Sequence, residues 1–200
     1  MANSRQQLSI ALILILFGAL SLWRSVSPQA DSSPGLRVAF FDVGQGDGIL
    51  LTTPNNKRIL IDGGPDSTIL TRLGEEMRFF DHTIDLAIVS HNHADHITGL
   101  NKVIERYDVK KMWLSGALHT THEYVKLLQN ARDRNVASEV VWAGKTEVID
   151  GVELTVLHPL VSQEGTRPDN QHMATVVVRA TYGTQSFLFT GDLHYEQEQA

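Results

Sequence analysis

Three histidines and one aspartate stand within six positions of the stretch "SHNHADHITGL": His91, His93, Asp95 and His96. Imidazole nitrogens and carboxylate oxygens are ligands that zinc accepts at about 2.0 to 2.2 Å, and a zinc site needs three or four of them to converge. A histidine-rich surface loop is the alternative, but the spacing H-x-H-x-D-H is far rarer than a single loop histidine. The spacing therefore predicts a metal site built largely from one loop.

The segment before this cluster indicates how the ligands are positioned. "IDLAIVS", residues 84–90, is a short apolar run of the kind that forms a buried strand. Side chains alternate at the end of a strand, so His91 and His93 are expected to face one side. Asp95 and His96 follow once the chain has turned, and we expect them to face the same cavity from a second direction.

The composition limits the kind of protein and the kind of site. The chain has 200 residues, of which 42% are hydrophobic and 20% charged, as expected of one globular domain with its own core. The net charge of −6 argues against coating nucleic acid by basic charge alone, although bound metal would supply local positive charge for a nucleic-acid substrate. Cysteine is absent from the sequence, which excludes thiolate zinc sites, disulfides and a cysteine nucleophile.

A charge-free apolar run, residues 8–23, lies between Arg5 and Arg24. As a helix it would be roughly 24 Å long, slightly short of the ~30 Å hydrocarbon core, and flanking Ser and Trp residues would extend it. It predicts that residues 1–24 are a signal anchor, favoured here, or a cleaved signal peptide, followed by a Ser/Pro linker at 25–35. In both cases the remainder is placed outside the cytoplasm, membrane-anchored or secreted. A core helix is disfavoured because the run has no polar face.

The remainder, residues 36–200, contains runs typical of strands and of helices. Strands are predicted at 36–44, 48–53, 57–64, 84–90, 109–115, 138–143, 151–159, 174–183 and 184–192, and helices at 67–80, 96–107 and 122–135. The last two strands should form a hairpin across Tyr182 and Gly183. Strands at both ends with helices between them predict a mixed α/β or α+β class, with sheets packed on each other or on helices.

"HNHADH" resembles the signature of the metallo-β-lactamase fold hydrolases, which build a two-metal site between two sheets of an αββα sandwich. "DVGQGDGILL" at 42–51, "ILIDGG" at 59–64 and "VVVRATYGTQSFLFTGD" at 176–192 resemble the hydrolase domain of the ComEC-type DNA-uptake channel and its free-standing relatives. This resemblance implies an α+β fold with four αββα layers over residues 36–200.

The resemblance also implies roles for the cluster and for one distant aspartate. His91 and His93 would hold the first of two divalent ions, zinc or manganese, and Asp95 and His96 the second. Asp192, in "FTGD", would bridge both ions, unless it only caps the segment that follows. Two ions about 3.5 to 4 Å apart bind a hydroxide and polarise a phosphoryl or carbonyl oxygen. Asp95 would orient that hydroxide or accept its proton.

Two further aspartates are supporting candidates. Asp62, in "IDGG", matches a residue that usually supports the metals by hydrogen bonds, although an aspartate before Gly-Gly also simply shapes a turn. Asp47, in "GQGD", is a candidate for the rim of the cavity.

The third ligand of the first ion remains open between two residues. The family normally supplies a histidine before a late strand, and the ComEC-type branch often has an asparagine there. In "DNQHMATVVVRA" His172 and Asn170 compete for this place, and His172 is also explained as a solvent-facing loop histidine. His158 ends a predicted strand and could approach the cavity, although a turn before Pro159 also explains it. The remaining histidines show no pattern that predicts a ligand: His82, His119, His122 and His194.

The end of the sequence departs from the family, whose members usually continue with a helix, a strand and a last metal-binding histidine. Only eight residues follow Asp192, so the sequence predicts a C-terminally incomplete domain. The resemblance implies phosphodiesters in DNA or nucleotides as substrates. The alternatives are a lactonase, β-lactamase or thioester hydrolase, which would attack a carbonyl, and a non-catalytic metal- or DNA-binding accessory protein of DNA uptake.

Overall fold

Two β-sheets form the frame of the structure, a computed structural model that describes residues 35–78 and 80–198. The predicted N-terminal hydrophobic segment, and all of the linker but its last residue, lie outside the described residues. Within the described part of the chain, no helix is both long and apolar enough to cross a bilayer.

The elements follow one another as strands with three long helices between them. The strands are β1 (Arg37–Phe40), β2 (Ile49–Thr52), β3 (Arg58–Ile61), β4 (Thr83–Ile84), β5 (Leu86–Ile88), β6 (Asp108–Val109), β7 (Lys111–Leu114), β8 (Ala137–Val140), β9 (Thr146–Ile149), β10 (Val152–His158), β11 (Val177–Tyr182) and β12 (Gln185–Phe189). The helices are α1 (Thr68–Glu76), α2 (Ala94–Arg106), α3 (His122–Asp133) and the four-residue α4 (Tyr195–Glu198), with a 3-10 helix at Gln171–Ala174.

The first sheet has the strand order β1-β2-β3-β5-β7-β8, with antiparallel pairing from β1 to β3 and parallel pairing from β3 to β8. The second sheet is antiparallel in the order β12-β11-β10-β9, and β4 pairs with β6 apart from both. The mixed α/β class predicted from the sequence is therefore confirmed.

The central strands of the first sheet, β2, β3, β5 and β7, are buried on both faces, because their side chains alternate between two cores. Leu60 and Met112 pack with the helices, while Ile61, Ile88 and Trp113 pack against the second sheet. Strands buried on both sides read as continuous apolar runs, which is why β3, β5 and β7 are visible in the sequence. Each fully buried Leu or Ile side chain contributes about 1.5–3 kcal/mol, so this layered core holds the strand ends in fixed positions.

The second sheet is buried on one face only. In β10, Val152, Leu154 and Val156 are buried, whereas Glu153 is exposed and Thr155 half-buried. The described residues thus form three layers, helices on sheet on sheet. The outer helical layer of the predicted four-layer sandwich is not found between residues 35 and 198, where the outer face of the second sheet carries polar side chains at its centre.

The predicted hairpin is confirmed, since β11 and β12 pair with Tyr182 opposite Gln185 and Gly183 adopts a φ of 59° in the turn. One strand lies wholly outside the predicted ones, and the short β4 and β6 were not predicted as separate strands. β9, with the sequence "TEVI", is short and half polar, and it becomes a strand because it pairs with β10. Its stability comes from that pairing rather than from its own pattern.

Candidate metal centre

The histidine cluster lies at the carboxyl ends of two neighbouring parallel strands. Asp62 directly follows β3, and Ser90 and His91 come two and three residues after β5, the strand that pairs with it. Asp192 arrives from the second sheet, three residues after the end of β12. Carboxyl ends of parallel strands meet at one edge, so residues far apart in the sequence reach a common cavity.

The turn after β5 becomes helical earlier than the sequence predicted. α2 begins at Ala94 rather than at 96, with His93 as its extended N-cap residue at φ −77° and ψ 149°. Asp95 and His96 therefore lie in the first helical turn, where the helix dipole stabilises a carboxylate. This explains how the chain changes direction between the first pair of candidate ligands and the second.

The first grouping of potential ligand atoms consists of His91, His93 and His172, whose ligand atoms lie within 4.8 Å of one another. His91 Nε2 is 3.0 Å from His93 Nδ1, and the ring centroid of His172 is 5.0 Å from that of His91. The 3-10 helix places His172 here, and the side chain of Asn170 accepts a hydrogen bond from the His172 N–H at 3.0 Å. Asn170 thus caps the short helix, with its side-chain oxygen engaged by the His172 N–H.

The second grouping consists of His91, His96 and Asp192. An Asp192 oxygen lies 3.5 Å from His96 Nε2 and 3.9 Å from His91 Nε2, so this carboxylate stands between the two groupings. Asp95 is outside the groupings, but its Oδ2 is 3.9 Å from His96 Nε2 and its side chain is 40% exposed. His91 belongs to both groupings and joins them.

Asp62 fixes the orientation of His96 from the side away from the cavity. Its carboxylate is fully buried and accepts hydrogen bonds from the Ser90 N–H at 2.8 Å and the Ser90 hydroxyl at 2.5 Å, and it lies 2.8 Å from His96 Nδ1. Asp62 also adopts a φ of 56°, which Asp tolerates better than most residues. The residue therefore both forms the turn after β3 and leaves His96 Nε2 directed at Asp192.

Asp47 lies against the same side of the centre, in a third grouping with Asp62 and His96. Burial and the negative charge of Asp62 raise the pKa of its carboxyl. Its loop needs glycine, because Gly46 adopts a φ of 65° and a Cβ there would lie 1.9 Å from the Asp95 carbonyl oxygen. The "GQGD" loop is thus packed directly onto the first turn of α2.

The two most buried histidines have opposite pKa shifts. Burial, together with the charge of the neighbouring imidazoles, lowers the pKa of His91 to about 2. Burial also lowers the pKa of His96. The hydrogen bond and charge of Asp62, with the charges of Asp192 and Asp95, outweigh burial and raise this pKa to about 9. A metal ion near His96 would therefore displace a proton.

The metal-free protein is expected to be most stable near pH 6.5, where the effect of His91 ends and that of His96 begins. The unfolded chain binds more protons than the folded chain at the His91 position between about pH 2 and 6.5, so the unfolding free energy rises over that range. The folded chain holds the His96 proton up to about pH 9. The contribution of protonated His96 to the unfolding free energy is therefore complete below pH 6.5 and is lost as the pH rises to 9. Urea unfolding of EDTA-treated protein measures both trends, and stability that keeps rising from pH 6.5 to 9 would contradict them.

The donor set suits zinc-type divalent ions. His96 Nε2 and His172 Nδ1 are buried side-chain nitrogens that find no hydrogen-bond partner anywhere in residues 35–78 and 80–198. Leaving such nitrogens unpaired costs free energy, roughly 1–3 kcal/mol each, unless another partner is present. Both belong to groupings of imidazole and carboxylate donors, which are ligands that zinc accepts.

A polar cleft opens beside His93, with a volume of about 410 Å³. His119, Arg167 and Asp169 line it, and the His119 ring centroid is 6.2 Å from that of His93. No local pattern in the sequence selects His119 or Arg167, because contacts between distant segments bring their loops to the cleft.

Another histidine that the sequence did not select also reaches the centre. The His194 ring stacks on His172 with centroids 4.5 Å apart and an interplanar angle of 24°. The only sequence signal for it is its position two residues after Asp192. His158, His122 and His82 lie outside the groupings; His158 Nδ1 bonds instead to the Thr175 carbonyl at 2.7 Å.

Comparison with known proteins agrees with this fold and donor set. Residues 57–200 match the family described as "Beta-lactamase superfamily domain", which covers more than half of the sequence. The chain belongs to the metallo-β-lactamase superfamily. It is also similar to ComE operon protein 3 of Bacillus subtilis (strain 168), with 29% identity over 185 residues, and thus to the branch that the sequence motifs indicated. That match covers 84% of this chain and 23% of the relative.

Two solved structures share the fold. A metallo-β-lactamase from Staphylococcus aureus subsp. aureus COL superposes with a TM-score of 0.53 at 20% identity, covering 80% of this chain and 44% of that one. A Cronobacter sakazakii metallo-β-lactamase with a HARLDQ motif superposes with a TM-score of 0.54 at 18% identity, covering 78% and 60%. The chain therefore spans less than two thirds of each of these relatives, and at these identities the two structures establish the fold alone.

Proposed function

We propose that this chain is a hydrolase that holds two divalent cations, zinc or manganese, and cleaves phosphodiester bonds in DNA or nucleotides. The observation that carries the proposal is the pair of donor groupings that share His91, with an Asp192 oxygen within 3.9 Å of both His91 and His96. Burying this many ionisable groups is costly for a pure scaffold, whereas cations between them would offset the cost.

Each side chain has a part in this activity. His91, His93 and His172 would hold one cation, and His96 with Asp95 the other, with Asp192 shared between them. When bound, such a pair of cations lowers the pKa of water and polarises a phosphoryl oxygen.

The remaining tasks fall to two carboxylates. Asp95 is partly exposed, and its Oδ2 lies 3.9 Å from His96 Nε2, beside the second grouping, so it would orient the attacking water or accept its proton. Asp62 keeps His96 oriented during this step through the contact at Nδ1.

The cleft beside His93 favours a phosphodiester over a carbonyl substrate. Its lining includes a guanidinium, an imidazole and the amide of Asn170, all of which donate hydrogen bonds to phosphate oxygens. An acyl chain of a lactone or thioester would find few apolar partners there. The similarity to ComE operon protein 3 supports the same choice, because the ComEC-type branch implies DNA as the substrate.

The proposed location is extracytoplasmic. It rests on the apolar run at residues 8–23, which would anchor the chain in a membrane or direct its secretion if the segment is cleaved.

The substrate proposal is tested with purified protein loaded with zinc or manganese and offered three compounds. We expect hydrolysis of bis-p-nitrophenyl phosphate and of a single-stranded oligonucleotide, none of nitrocefin, and loss of hydrolysis after EDTA treatment. Cleavage of nitrocefin alone would establish a carbonyl hydrolase instead. Tight DNA binding that survives His93→Ala, without turnover of any of the three, would establish a non-catalytic accessory protein.

A further inference from the structure

The cleft beside His93 has fixed walls. One wall is the loop after β7 and the other is the loop before the 3-10 helix, and the two pair through their backbones. The Leu118 N–H donates to the Thr166 carbonyl at 2.8 Å, and the Gly165 N–H donates to the Gly116 carbonyl at 3.0 Å. Arg167 directly follows this paired segment, so its backbone position is set by the pairing.

A buried glutamine ties the walls to the metal centre. The Gln171 side-chain amide donates to the carbonyls of Leu118 at 3.4 Å and Pro168 at 3.2 Å, and its oxygen accepts from Asn92 at 3.2 Å. Asn92 lies between His91 and His93, and His172 is the residue after Gln171. The same hydrogen bonds that shape the cleft therefore fix its position relative to the first donor grouping.

The cleft presents hydrogen-bond donors that could bind an anion and that the described residues leave available. Arg167 is exposed and forms no hydrogen bond or ion pair with any residue of the described chain. His119 Nδ1 lies 2.9 Å from the Thr121 hydroxyl, which leaves its Nε2 for a ligand. Asp169 is an opposing charge on the rim, and it also forms no described contact.

We propose that Arg167 and His119 bind the phosphate next to the scissile phosphodiester, so that the substrate is a nucleic-acid strand with at least two consecutive phosphodiesters. This inference rests on the proposed function, which accounts for the scissile phosphate at the metal centre. A cleft of about 410 Å³ that begins at His93 is within the usual size range of small-ligand sites and is available to the next unit of the strand. Arg presents paired N–H donors that match phosphate oxygens.

The sharpest test compares two thymidine substrates that differ by one phosphodiester, the dinucleotide TpT and the trinucleotide TpTpT. For the unmodified protein we expect the KM of TpTpT to be about five- to tenfold lower than that of TpT. Arg167→Gln should remove most of this advantage, with the larger change in KM rather than in kcat. Arg179→Gln, which changes an exposed arginine on the outer face of the second sheet, is the matched control and should retain it. Asp169→Asn should enlarge the advantage.

A binding measurement separates this inference from the proposed function. Fluorescence polarisation of labelled, phosphorothioate-linked dT6, which resists cleavage, should show about a fivefold weaker Kd for Arg167→Gln and a salt slope reduced by about one. If the protein hydrolyses both substrates but Arg167→Gln keeps the trinucleotide advantage and the Kd, the cleft inference is wrong and the proposed function stands. If neither substrate is hydrolysed while dT6 binding depends on Arg167, the proposed function fails, and with it the scissile neighbour, while phosphate binding by the cleft stands.

Discussion

His91→Ala is expected to remove the cation that His91, His93 and His172 would hold, and to lower kcat/KM for bis-p-nitrophenyl phosphate on the order of 10³-fold or more. His91 is the most buried member of this donor grouping, and its Nε2 also lies 3.9 Å from an Asp192 oxygen. Its loss leaves this cation with two imidazoles, while the donors of the other cation remain. Elemental analysis of the purified variant should show a fall from about two equivalents of metal to about one.

The matched control for this variant is His122→Ala. His122 is an exposed histidine at the start of α3 and lies outside the donor groupings, so its replacement should leave metal content and turnover unchanged. His93→Ala should lose the same cation as His91→Ala, because it removes another ligand from the same grouping. Two equivalents of metal retained by His91→Ala would show that this imidazole is not a ligand.

Asp62→Ala is expected to produce the largest loss of folding stability among substitutions at the centre, about 3–5 kcal/mol in the metal-free protein. Asp62 and His96 are a fully buried pair 2.8 Å apart, and the Ser90 N–H and hydroxyl also donate to the same carboxylate. Removing the carboxylate leaves the Ser90 N–H without its described partner, weakens the hydrogen bonding of the buried His96 ring, and places alanine at a φ of 56°. Urea unfolding at pH 6.5 measures this loss.

Asp62→Asn separates the role of Asp62 in folding from its role in metal binding. Asparagine tolerates the left-handed backbone and keeps an oxygen for the Ser90 N–H, so the loss of stability should be smaller, about 1–3 kcal/mol. Its uncharged amide no longer holds His96 as a carboxylate does, so metal affinity should still fall about 10- to 100-fold. Unchanged metal affinity in Asp62→Asn would mean that Asp62 acts only through the turn.

The sequence predicts those features that have a local pattern. The central strands β2, β3, β5 and β7 of the first sheet are largely apolar runs because both of their faces are buried. Helix α3 shows one apolar side, with Tyr124, Leu127 and Ala131 buried. The motif "HNHADH" concentrates its donors within one turn, so the site itself is also visible without coordinates.

Other features depend on contacts between distant segments. β9 acquires its structure from pairing with β10, and α2 begins earlier than predicted because His93 serves as its N-cap. His119 and Arg167 have no local pattern, since the backbone pairing of two loops brings them together. The spacing of residues in this loop likewise leaves open whether His172 or Asn170 is the third ligand. The short 3-10 helix that Asn170 caps brings the His172 ring to the donor grouping.

Anomalous diffraction at the zinc edge, from crystals of the zinc-loaded protein, would locate the cations relative to the two donor groupings. We expect two peaks about 3.5–4 Å apart, one within about 2.2 Å of nitrogens of His91, His93 and His172 and the other within the same distance of His96 Nε2, with an Asp192 oxygen between them. Zinc bound only at surface side chains, with the nitrogens of His91 and His96 free of metal, would contradict this expectation.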